Sequence, residues 1–210
     1  MKCNASVVER HKKSDYCRDD HDPNFVRSTS TDIFRIDGLT NDMSEVVTEY
    51  RSGKDVYSMS EIASISGKQL DHVQELQTFR DTFDLITPAG ERGHEGATIL
   101  KNKIKLASNI CGNLNYTSRD INLLKFDAVY KYQQDYKEGR VNAAGLTYYL
   151  LDASVKDSGV KLSREITFRI KDSMATAYDA VVESLEQENV YVETFVDKFH
   201  DMTITNMKLT

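Results

Sequence analysis

Apolar positions along the chain change period several times, and each change predicts an element. From Ser163 to Gln187, the residues Ile166, Ile170, Met174, Ala177, Val181 and Leu185 recur at steps of three and four. That is the period of one helix face, so a long helix capped by Ser163 is predicted. Tyr191, Phe195 and Phe199 repeat every four residues and predict a last helix ending near Met202. Upstream, Thr117-Ser-Arg-Asp120 is a capping signal for a helix to about Glu138, with Ile121, Leu124, Ala128 and Tyr132 along one face. Arg119, Lys125 and Lys131 are placed elsewhere on its surface. Gly139 ends that helix, and Ala143 to Val155 predicts the next. Nearer the start, Asp32-Ile-Phe-Arg-Ile-Asp-Gly-Leu reads as a strand, Met43 to Tyr50 as a short helix bearing Val46 and Val47, and Arg51 to Asp55 as a turn. The first thirty residues are polar and without period, the pattern of a poorly ordered acidic tail.

The stretch Ser58 to Leu76 has the spacing of two short helices joined by a tight turn. Ser58 and Glu61 fit a capping box, Ile62 and Ile65 face inward, and Gly67 supplies the positive φ of the turn. Leu70, Val73 and Leu76 then form the stripe of a second helix, leaving Lys68, Gln69, His72 and Gln74 outward to meet phosphates or base edges in a major groove. The alternative is a helical hairpin inside a globular core. Phe79 and Phe83 continue the spacing, and Pro88 to Gly96 is a loop. In Thr98 to Leu106, Lys101, Lys103 and Lys105 alternate as on one face of a strand. A wing against the phosphate backbone has that look, as does a lysine-protected edge strand; a short helical hairpin is a third option.

The run Ser60-Glu-Ile-Ala-Ser-Ile-Ser-Gly-Lys-Gln-Leu-Asp-His-Val73 resembles the phage regulatory protein Rha family and related antirepressor modules. Ile62, Ala63, Gly67, Lys68 and Val73 match that pattern, while Ser66 stands where the family has Thr and Leu70 where it has His. The resemblance covers about fifteen residues and implies a DNA-binding helix-turn-helix. The fold class expected is therefore mainly α with a small β component. Residues 1–30 form the tail, 31–115 a (winged) helix-turn-helix region, and 116–210 a helical assembly or dimerisation domain.

Charge complicates this picture. The net charge of −6 is unfavourable for phosphate contact, yet residues 98–140 carry eight basic against four acidic side chains. Cys3, His11, Cys17 and His21 are four possible zinc ligands, but their interleaved order departs from the paired spacing of zinc fingers; the bland alternative is a solvated tail. Three cysteines are too few and odd in number for a disulfide framework, which agrees with a reducing compartment. No stretch reaches the ~20 apolar residues needed to cross a bilayer, and the start lacks a signal-peptide segment, so the expected address is the cytoplasm with no membrane partner. No Walker loop, nucleophile elbow or paired-Cys site is present, and the His21-Asp22 and His200-Asp201 pairs have no matching partners, so neither an enzyme nor a cofactor is expected.

Two functions remain. One is a sequence-specific DNA-binding regulator, a repressor or antirepressor of phage or mobile-element type. Its partner would be double-stranded DNA, and it would pair as a homodimer through the C-terminal helices. The other is a helical structural or assembly protein, scaffold-like, or an inhibitor that binds another protein.

Overall fold

The computed structural model describes residues 44–87, 90, 92, 94–140, 145–155, 159–185 and 190–203. Among these, seven α-helices surround one two-stranded antiparallel sheet. In order they are α1 (Ser44–Tyr50), β1 (Lys68–His72), α2 (Leu76–Ile86), α3 (Glu95–Ser108), a 3-10 turn (Cys111–Asn113), β2 (Leu114–Ser118), α4 (Arg119–Lys137), α5 (Leu146–Asp152), α6 (Arg164–Leu185) and α7 (Val190–Thr203). The chain is mainly helical with a small β component, as its periodicity implies.

Several predicted boundaries hold for the predicted reason. Ser118 Oγ accepts from the Ile121 amide at 3.3 Å and Ser163 Oγ from the Ile166 amide at 3.1 Å, so both helices start on capped amides. Gly139, with φ +67°, stops α4. The α6 seam is buried at Ile170, Met174, Ala177, Val181 and Leu185. It closes on its own chain rather than on a second copy. Its N-terminal half joins a cluster with Leu124, Ala128 and Tyr132 of α4 and Leu150 of α5. Its C-terminal half joins Phe79 and Phe83 of α2, Leu100 and Ile104 of α3 and Phe195 and Phe199 of α7. The rings of Phe79, Tyr178 and Phe195 stack around Phe199 at centroid separations of 4.7, 5.6 and 5.4 Å. Both clusters draw on residues from either side of position 115, so the described residues do not part there into a DNA-binding region and a helical domain.

The expected helix-turn-helix over Ser58 to Leu76 is corrected. Residues 58–67 form turns and loop with one isolated bridge, Lys54↔Glu61, and Lys68–His72 is a strand paired with β2 in the register Lys68↔Ser118 to His72↔Leu114. Gly67 does take the predicted positive φ of +75°, but it leads into β1. Three-residue spacing of Leu70, Val73 and Leu76 suggested a helix, whereas the working period is two. Gln69, Asp71 and Val73 turn toward α4, and Leu70 turns to a third cluster with Val47, Ile62, Leu114 and Tyr116. Ser58 does not cap a helix either; its hydroxyl donates to Asp55 Oδ2 at 2.7 Å. Four serines between 58 and 66 favour such side-chain-to-backbone and turn bonding over helix, and Asp55 fixes the loop by accepting from the Tyr57 amide, Ser58, Asn115 and Thr117.

The strand expected over Thr98 to Leu106 is also corrected, because it lies within α3. Ala97, Leu100, Ile104 and Ala107 are its buried positions, a helical period that outweighs the alternating lysines. No wing is present among the described residues. The Asp32 to Leu39 strand, the acidic tail and the four possible zinc ligands lie outside the described residues. Cys111 is buried and disulfide-bonded, so the cysteines do not point to a reducing compartment. Among the described residues no helix is long and apolar enough to cross a membrane.

The 3-10 turn packs so closely on α6 that a Cβ on Gly112 would sit 2.8 Å from Ala180 Cβ. Neither atom belongs to a flexible side-chain end, so Gly112→Ala should force backbone movement and lower stability by roughly 1–3 kcal/mol. A denaturant midpoint equal to wild type would show that the turn tolerates the methyl group.

Candidate functional site

Two features of α4 stand out, one on each side of the helix. On the inner side Lys125 has no exposed surface. Its ammonium lies 3.1 Å from Asp71 Oδ1 and 2.6 Å from Glu75 Oε1, and donates to the carbonyl oxygens of His72 at 2.7 Å and Val73 at 3.2 Å. Asp71 also accepts from the Tyr57 hydroxyl at 2.5 Å. Strand β1 ends here, and the ammonium ties its last carbonyls and the approach to α2 onto α4.

The electrostatics follow from burial. Desolvation works against the Lys125 charge, but Asp71 and Glu75 outweigh it and leave the ammonium's pKa raised. Burial pushes the Asp71 carboxyl up to about 7; Lys125 opposes the shift and the Glu75 carboxylate adds to it. Burial, reinforced by Asp71, raises the Tyr57 hydroxyl well above its ordinary value. Lys125 can reach an external substrate only if β1 leaves α4, so this arrangement is built to clamp.

On the outer side Leu123, Phe126 and Tyr130 are 44%, 39% and 45% exposed. They fall on one face because their spacings of three and four match a helical turn. The Phe126 and Tyr130 rings stack at 6.4 Å with an interplanar angle of 13°. Charged side chains flank the stripe: Asp120 is exposed, and Asp127 pairs with Lys131 at 2.8 Å.

The residues expected to touch DNA are dispersed. Gln74 is fully buried, its amide nitrogen donating to Met174 O at 2.7 Å, so it is not an outward reader. Gln69 accepts from Asn122 at 2.9 Å and His72 shares a 2.9 Å bond with Asn109. Both are half-buried strand residues, as is Lys68. Lys101, Lys103 and Lys105 lie on α3, where Lys103 donates to Leu185 O at 3.4 Å. They do not form one face with the β1 residues by virtue of any shared element.

The sequence pattern predicts a surface position for Lys125, and the structure corrects this by burying it fully. On a helical wheel it falls between Ala128 and Val129, within the sector of Ile121 and Tyr132. Its charge rather than its position suggested exposure. The same wheel puts Leu123, Phe126 and Tyr130 outside the apolar sector, a signal present in the sequence. No family model matches this chain, and comparison with curated proteins and with solved structures finds no match either.

Proposed function

We propose that this chain is a helical assembly protein that pairs with a second copy of itself through the outer face of α4. The observation that carries this reading is the stripe of Leu123, Phe126 and Tyr130, contiguous and exposed on a helix whose opposite face is already buried. Contiguous apolar surface of this kind marks interaction sites. The flanking charges favour a second copy. In an antiparallel approach with Leu123 opposite Tyr130 of the second copy, helical periodicity brings Asp120 near the second copy's Lys131, while Asp127 comes beside its own symmetry mate and keeps its charge balanced by Lys131 of its own helix. Two-fold symmetry repeats that pair at the other end. Three partly exposed side chains supply far less than the ~800 Å² per partner of a standard interface, so association in the micromolar range is expected.

The regulator reading loses support because its reading helix is a strand and Gln74 is buried. Sedimentation equilibrium at rising protein concentration separates the two. Wild type should move toward dimer mass, and Phe126→Lys should stay monomeric with an unchanged circular dichroism spectrum. Asp120→Lys should weaken pairing by facing Lys131 with a like charge. A wild-type mass that stays monomeric into the submillimolar range would remove the proposal. Salt-sensitive comigration with duplex DNA would return the regulator to favour.

A further inference from the structure

A small, partly open cavity of ≈ 10 Å³ lies where the β1–α2 junction, α4, α6 and α7 meet, lined by Gln74, Thr78, Gln133 and Thr203 together with apolar side chains such as Val129 and Met174. Gln74 and Gln133 are 0% and 1% exposed. Each uses its amide nitrogen inside the protein, Gln74 toward Met174 O and Gln133 toward Thr78 Oγ1. No described residue donates to either amide oxygen.

We infer that this cavity is a binding site for one water molecule, held between the side-chain amides of Gln74 and Gln133. The volume is about one water probe, the minimum that admits a water, and it excludes a larger polar ligand. The chemistry points the same way. Gln74 cannot rotate its amide by 180°, because its oxygen would then face the carbonyl of Met174. It therefore needs a donor. Gln133 presents an oxygen as drawn, or its amide nitrogen if the Thr78 hydroxyl is the donor between them. Water satisfies both arrangements, since it donates twice and also accepts. A bare cation fits only the first.

The occupant would link residues a hundred positions apart in sequence, Gln74 and Met174, with α4 through a single bridging molecule. The test is rotating-frame cross-relaxation between water and the assigned side-chain amide protons of Gln74 and Gln133 in the intact wild-type chain. Cross-peaks are expected at Gln74, with the laboratory-frame and rotating-frame effects of opposite sign, as a long-lived bound water gives. In a folded Gln133→Met chain the Gln74 cross-peak should weaken several-fold. Absence of the wild-type cross-peak overturns the inference. So does a thermal midpoint that shifts among sodium, potassium and choline chlorides at equal ionic strength, which would assign the cavity to a cation.

Discussion

Lys125→Met is expected to lower the unfolding free energy by roughly 3–5 kcal/mol, the range for removing one member of a buried ion pair. Methionine fills nearly the same volume, so the loss is electrostatic. Asp71 and Glu75 would face each other without the ammonium, and the His72 and Val73 carbonyl oxygens would lose their shared donor. Against a typical total of ~5–15 kcal/mol that is a large fraction. Lys131→Met removes the exposed pair with Asp127 on the same helix and should cost less than about 1 kcal/mol. Guanidinium midpoints of the two variants, at equal slope, compare them directly. Near-equality would mean that the Lys125 ammonium reaches water.

Asp71→Asn should change how stability depends on pH. The folded carboxyl titrates at about 7 against an ordinary 3.8. Between those values the unfolded chain has released a proton that the folded chain keeps, so unfolding releases that proton and rising pH favours it. The stabilising contribution is therefore complete below about 3.8, is lost as pH rises toward about 7, and is flat beyond. Asparagine has no such proton. The stability of the variant relative to wild type should rise from pH 4 to pH 7 by an amount on the order of a few kcal/mol, at ~1.4 kcal/mol per unit, and then level. Chemical denaturation of both chains at intervals across that range measures it. Parallel curves would place the titrating group elsewhere.

The C-terminal helices were legible because their apolar residues keep one period over many turns. In α6 five seam positions are fully buried, and both α4 and α6 begin at the serine that the capping pattern marks. The 58–76 region was not legible. Its strand is five residues long, and over that length Leu70 and Val73 fit a period of three as readily as they fit a turn out of the sheet. What decides it is β2, which begins more than forty residues later and offers Asn115 and Tyr116 as partners of Asp71 and Leu70. Pairing at that distance leaves no local trace. Of the α4 surface, the wheel position of Phe126 and Tyr130 was readable, but their exposure depends on which helices cover the other side.

The division of α6 between two clusters bears on how this polypeptide leaves the ribosome. Gln74 waits for Met174, a hundred residues further on, and at roughly 5–20 residues per second that interval is about 5–20 seconds. During it the aromatic side chains of α2 have no lid, so nascent molecules on neighbouring ribosomes would be exposed to one another, and yield should respond to expression rate and chaperone supply more than to the stability of the finished protein.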